Sequence, residues 1–214
     1  MTYIEMVNIV LRRMREREVN TVDSTAYSKL IGDLVNDVKS EVESTWNWDS
    51  LRNTATISTI PSLLNYVLED VIQGSRLVNA WNDTDKRQLS QMSTRLAEER
   101  FLTQRNPSNP LFFSFNGTND SGFLQVDVWP IPNAVYSLTF NFIVPQNELT
   151  LNEEVIRVPW RPIVEGTVSR AIQERGEDGG TTFEAAMNRY ERALSDAIAF
   201  DASLHPDETI WYVE

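Results

Sequence analysis

Apolar residues recur every three or four positions at both ends of the chain and every second position through its middle. Near the start, Thr2 followed three residues later by Glu5 is a capping-box signature. Met6, Val7, Val10, Leu11 and Met14 then follow at helical spacing, which predicts a helix over about Tyr3–Glu18. Its far end carries Arg12, Arg13, Arg15 and Arg17, which suit the negative end of a helix dipole. Asn20–Ser24 reads as a turn. Beyond it Tyr27, Leu30, Ile31, Leu34, Val35, Val38 and Val42 form one stripe, with Lys29, Asp33, Asp37, Lys39 and Glu43 mostly on the outer side. A second helix is therefore predicted over roughly Thr25–Trp46, antiparallel to the first across a short link.

Trp46-Asn47-Trp48 marks a change of character. Alternation and β-branched residues replace helical spacing in Thr54–Ile60, Asn65–Leu68 and Arg76–Trp81, the last with Leu77, Asn79 and Trp81 on one face. Asn82–Asp85 has turn composition, and Arg87–Leu89 completes a hairpin. Ser90–Gln104 reads as a weak helix anchored by Met92, Leu96 and Phe101. Leu111–Phe115, Phe123–Trp129 and Tyr136–Val144 then alternate cleanly, and their short connections predict a three-strand meander with one buried face.

Helical spacing returns at Pro159 and Pro162, residues tolerated in a first turn. Ile163, Val164, Val168, Ala171 and Ile172 form a stripe that ends at Arg175-Gly176. Gly176, Gly179 and Gly180 supply a flexible link, and Thr181 or Thr182 caps a last helix. Its stripe is Phe183, Ala186, Met187, Tyr190, Ala193, Leu194, Ala197 and Ile198, and it should end before Pro206. The pattern predicts an α+β protein: a four-helix bundle with a β-rich insertion, an antiparallel meander or sandwich-like sheet pair, between the second and third bundle helices, plus an extended C-terminal tail. The expected divisions are 1–50 with 155–202 for the bundle, 51–154 for the insertion and 203–214 for a docking arm. The bundle is expected to close by docking the fourth stripe on the second.

Composition narrows the chemistry. The 214 residues carry 19 basic and 31 acidic side chains, a formal charge of −12, which provides no electrostatic footprint for gripping phosphates. With no cysteine, disulfides, thiolate metal sites and cysteine nucleophiles are excluded together. The single histidine, His205, cannot build a multi-histidine site. The longest runs from the hydrophobic set, Ala197–Phe200 and Ile210–Val213, are far too short to span a bilayer, and Met1–Arg17 lacks the charge order of a signal peptide.

The adjacent acids Glu69-Asp70, Glu98-Glu99, Glu153-Glu154 and Glu177-Asp178 fall in expected loops or on polar faces, so no catalytic pair is assigned. Asp83-x-Asp85 resembles the opening of a calcium loop, but Arg87 breaks the spacing. Gly176–Gly180 lacks the following Lys-Ser/Thr of a phosphate loop. No catalytic, cofactor-binding or metal-binding residue is expected. Trp48, Trp129 and Trp160 lie at element junctions and Trp81 on a strand face; a carbohydrate- or receptor-binding virion module using such β-region aromatics is the alternative functional reading. The tail holds the cluster Ile210, Trp211, Tyr212 and Val213 after the acidic pair Asp207-Glu208. Such a cluster must be covered, either on the chain's own helices or on another protein with Trp211 and Tyr212 as anchors.

Tyr3-Ile4-Glu5-Met6-Val7-Asn8, Val10-Leu11-Arg12-Arg13, Tyr27-Ser28-Lys29-Leu30-Ile31, Val35-Asn36-Asp37 and the Trp46-Asn47-Trp48 turn, with Arg170-Ala171, Arg175-Gly176-Glu177, Arg189-Tyr190 and Ala193–Ala197 later, resemble the head-to-tail adaptor proteins of short-tailed bacteriophages, the tail tubular protein A type. The resemblance covers roughly residues 1–50 and 155–202. It implies a structural, non-enzymatic virion protein without cofactors. Such a protein forms a homo-oligomeric, usually dodecameric, ring between the portal protein and the tail nozzle protein. It also implies that Ile210, Trp211, Tyr212 and Val213 belong to an arm that docks on the portal. DNA would pass through the ring without specific binding, repelled by its acidic wall. The expected location is the head–tail connector of the virion, with the host cytoplasm before assembly and no membrane.

Overall fold

A computed structural model describes residues 1–103, 106–176 and 181–204. By its internal contacts the chain divides into two units, one built from Met1–Ser50 with the chain from Gln146 onward, the other from Leu51–Pro145. The protein is α+β: among the described residues five helices accompany two four-stranded sheets, and the β region lies between the second and fourth helices.

In the first unit, α1 (Tyr3–Arg13) begins at the expected capping box, with Thr2 N–H donating to Glu5 Oε2 at 2.8 Å. It stops short of Glu18. Arg15 takes a left-handed conformation, φ 61°, and Glu16 N–H reaches back to the Leu11 carbonyl at 2.9 Å. The reversed chain is then pinned by Asn8, whose side chain accepts from Val19 N–H and donates to Val19 O, both at 2.9 Å. Arg15 and Arg17 therefore lie beyond the helix, and only Arg12 and Arg13 occupy its last turn.

α2 (Ala26–Thr45) starts at Thr25, capped reciprocally with Ser28, and buries Ile31, Val35, Val38 and Val42. Gly32 lets the first helix approach: a Cβ there would lie 2.5 Å from the Tyr3 hydroxyl and 2.6 Å from Val22. Lys39 and Glu43, expected on the outer side, are instead 2% and 3% exposed. The cause is the returning chain. Lys39 Nζ donates to the Gln146 and Asn147 carbonyls at 2.6 and 2.9 Å and lies 3.4 Å from Glu43. Further along, Asn36 bonds Leu149 through both its amide groups, Asn152 accepts from Val22 N–H, and Thr2 bridges to Val155. Residues 146–154, expected within the β-rich insertion, thus lie along the first two helices.

α4 (Trp160–Glu174) packs on α1, on α2 and on α5 (Thr181–Ser203). Contact on several sides explains why its expected stripe is buried and why Glu165, Gly166, Thr167 and Ser169 are buried too. Gly166 is the closest approach: a Cβ there would meet Val38 at 2.7 Å and the Tyr190 ring at 3.1 Å. α5 therefore docks chiefly on α4, not on α2 as the two long stripes suggest. The helix α4 ends at Arg175, and Gly176 adopts φ 75° with its N–H bonded to Gln173 O.

In the second unit, β1 (Arg52–Ser58), β3 (Arg76–Asn82), β4 (Arg87–Gln88) and β8 (Ser137–Ile143) form one sheet in the order β1-β8-β3-β4. The other sheet contains β2 (Asn65–Ile72), β5 (Ser90–Gln91), β6 (Phe112–Thr118) and β7 (Phe123–Trp129) in the order β2-β7-β6-β5. The expected three-strand meander is only a β6–β7 hairpin. After Pro130–Asn133 the chain crosses to the other sheet, where β8 sits between β1 and β3. The predicted inner faces hold: Phe113, Val126, Val128, Leu138, Phe140 and Phe142 make one core shared by both sheets, with Phe113 edge-on to Phe140 at 5.3 Å.

A bulge between Leu77 and Asn79 changes the parity of β3, so Ala80 points inward and Trp81 is 40% exposed. Ser90–Gln91 is a strand parallel to β6, and α3 (Thr94–Thr103) begins only after it. Its buried residue is Ala97, whereas Leu96 and Leu102 are exposed.

Candidate functional site

The predicted docking residues Ile210, Trp211, Tyr212 and Val213 lie outside the described residues, as do His205 and the pair Glu177-Asp178. The other sequence candidates can be placed. Glu98 and Glu99 are exposed on α3. Glu69 and Asp70 line an open groove of about 410 Å³ with Thr54, Thr56 and Ser58 on β1. Glu154 is a capping carboxylate: it accepts the N–H groups of Thr150 and Leu151 at 2.6 and 2.9 Å, and these bonds hold its carboxyl below the ordinary range. Asp83 and Asp85 serve the β3–β4 turn, Asp83 accepting from the Thr139 hydroxyl and Asp85 from the Asn82 and Asn109 amides. Among the described residues, no group of three or more His, Cys, Asp or Glu side chains is placed to hold a metal ion. No helix among them is long and apolar enough to cross a membrane.

Of the aromatic candidates, Trp81 and Trp160 are each 40% exposed, whereas Trp48 and Trp129 have partners within the fold. Trp48 is fully buried and donates its indole N–H to the Val42 carbonyl at 2.7 Å. Trp46 donates to Asp201 Oδ2 at 2.9 Å. In the sheet unit Phe112 and Trp129 pair at 5.7 Å, and the Arg100 guanidinium covers both rings at 5.1 and 4.5 Å. A sugar ring would have to displace that cation to stack on Trp129.

One feature of the helical unit was not legible in any sequence motif. Arg13, Arg15, Arg175 and Arg189 come together around a cleft of about 610 Å³ whose apolar lining is Met14, Val168 and Ile172. The pair Arg13 and Arg15 lies far in sequence from Arg175 and Arg189, and only the packing of α1, α4 and α5 converges them. Glu165, 8% exposed in its side chain, anchors the site: Arg13 Nη1 lies 2.8 Å and Arg189 Nε 3.6 Å from its Oε2. Arg175 stacks 4.9 Å over the Tyr27 ring and donates to the Tyr27 hydroxyl, to Met14 O and to Glu16 Oε1 at 3.0, 3.3 and 2.6 Å. Arg15 makes no ion pair among the described residues. Guanidinium groups in this setting bind carboxylates or phosphates, not metals or nucleophiles. The outer face of α2 has the opposite sign, with Asp33, Asp37 and Glu41 exposed at four-residue spacing; Arg170 reaches the last two.

No protein-family model matches the sequence, and no curated protein matches it.

Proposed function

We propose that the protein is a head-to-tail adaptor of a short-tailed bacteriophage, a virion component that joins the portal ring to the tail nozzle and acts by binding, not catalysis. In this reading α1, α2, α4 and α5 constitute a four-helix bundle. The two sheets form a sandwich-like insertion between its second and third helices, and residues 203–214 are the arm that docks on the portal through Ile210, Trp211, Tyr212 and Val213. Copies assemble into a dodecameric ring at the head–tail connector after a soluble stage in the host cytoplasm.

The observation that carries the reading is the chain's return. Residues from both halves build one helical unit, and the sheets are an excursion between Leu51 and Pro145. That order is the one the adaptor resemblance implies. The acidic balance also fits: at −12 per copy, a ring repels the DNA backbone, so a genome passes without adhering.

Truncation after Ser203 tests the arm. The shortened protein should keep its secondary structure and fail to co-sediment with its cognate portal rings. Undiminished co-sedimentation would remove the arm from the mechanism.

A further inference from the structure

Two faces of the helical unit carry opposite charge. The arginine cleft is lined by α1, the turn that follows it, α4 and α5, and α2 gives it no lining residue. A smaller cleft of about 180 Å³ lies between α2, α4 and α5, and α1 gives it none. Glu41 and Arg170 line that second cleft, so the acidic row of Asp33, Asp37 and Glu41 stands on the other side of the α4–α5 pair from the arginines. We infer that copies of the chain associate head to tail, the arginine cleft of one receiving the acidic row of α2 from the next. The inference rests on the adaptor reading for the ring and names the surfaces that join its copies.

Charge complementarity selects the occupant. In a chain of net charge −12, four arginines line one cleft, and Glu165 is the one acid among the described residues that line it. Glu165 holds Arg13 and Arg189, and Glu16 holds Arg175, whereas Arg15 makes no ion pair among the described residues. The Arg15 backbone is fixed at φ 61° by the bond from Glu16 N–H to the Leu11 carbonyl at 2.9 Å. Along α2 the three acids outnumber the bases beside them, Lys29 one turn before Asp33 and Arg170 on α4. Among the described residues Asp33 makes no ion pair, and Asp37 has the 4.0 Å approach of Arg170 alone. Two chains of like net charge meet favourably where such patches are matched, and guanidinium groups pair with carboxylates in bidentate geometry.

The two faces differ, so the contact is heterologous: a row of copies keeps an open cleft at one end and an open acidic face at the other. Such a contact continues until it closes into a ring or runs on as a filament. Exposed ion pairs are individually weak, so one contact holds copies together only at high concentration. On a portal each copy is held at once by the portal and by two neighbours, and these contacts reinforce one another.

Sedimentation equilibrium of the full-length protein across a concentration series tests the contact. The weight-average mass should climb with concentration and pass that of a dimer. Arg15→Glu with Arg189→Glu makes both faces acidic, and Asp33→Lys with Asp37→Lys makes both basic. Each variant alone should stay at the monomer mass, the second even though it reduces the net negative charge and with it the general repulsion between copies. An equimolar mixture of the two should recover the climbing mass, because each reversed face then meets its complement. Arg15→Glu alone, at a residue with no ion pair to lose among the described residues, should weaken association several-fold. It replaces the double arginine variant in the mixture if circular dichroism shows that one unfolded. An unmodified protein that is monomeric throughout overturns the inference. So does a mass that stops at the dimer, association indifferent to the reversals, or a mixture of folded variants as monomeric as its components. Co-sedimentation with portal rings is read separately. Portal binding by a strictly monomeric protein leaves the adaptor reading standing without this contact, and self-association without portal binding leaves the contact standing without the adaptor.

Discussion

The Trp46 indole donates to the Asp201 carboxylate at 2.9 Å, joining the end of α2 to the last turn of α5 across 155 residues. The bond ties the two halves of the chain into one unit, and the same carboxylate receives the Asp49 N–H at 3.4 Å. Hydrogen bonds to charged groups contribute about 1.5–3 kcal/mol. Trp46→Phe and Asp201→Asn should each destabilise the helical unit by an amount in that range. A double-mutant cycle in urea should return a coupling of about 1 kcal/mol or more. Additive effects would show that the contact is not formed.

Gly166→Ala reverses the usual sign of a helical substitution. In an open helix alanine gains about 1 kcal/mol over glycine. Here the added methyl meets Val38 at 2.7 Å and Tyr190 at 3.1 Å, so the helices must separate. Overpacking of this kind costs about 1–3 kcal/mol, and thermal unfolding should report a lower Tm. A raised Tm would mean that α2, α4 and α5 do not converge at this glycine.

Lys39 and Glu43 form a buried pair that clamps the returning chain. Burial pushes the Lys39 ammonium down and the Glu43 carboxyl up, while each partner opposes the other's shift. Lys39→Met takes the ammonium away from the buried Glu43 carboxylate and removes the donor that Lys39 supplies to the Gln146 and Asn147 carbonyls. It should cost about 3–5 kcal/mol in chemical denaturation. Lys39→Met with Glu43→Leu should recover much of that loss, because apolar replacement of a whole buried pair is often near neutral.

Glu154 sets a pH dependence. Its folded pKa lies below the ordinary value of 4.5 because two backbone N–H groups bond the charged form. A depressed carboxyl contributes stability above its unfolded pKa and loses it as pH falls through the folded value. Glu154→Gln should therefore lower Tm at neutral pH and flatten the acid limb of the Tm–pH curve below about 4.5. An unchanged acid limb would remove the cap from the account.

What was legible in the sequence was what periodicity encodes. The stripes of α1, α2 and α4 and the inner faces of β7 and β8 were readable because each burial face repeats at a fixed step. Pairing partners were not: nothing in Tyr136–Val144 says that it joins β1 and β3 instead of β7. Lys39 looked external because its acceptors are backbone carbonyls more than a hundred residues away. Trp81 changed faces because one bulge shifted the parity of β3. The arginine cleft was invisible for the same reason as the strand order, since Arg13, Arg175 and Arg189 are brought together only by tertiary packing.

Electron microscopy of the full-length protein mixed with its cognate portal rings tests the adaptor claim most directly. The account predicts an added layer of density on one end of each ring, following the portal's rotational symmetry, with a helical layer against the portal. Portal rings left bare beside unassembled protein would contradict it.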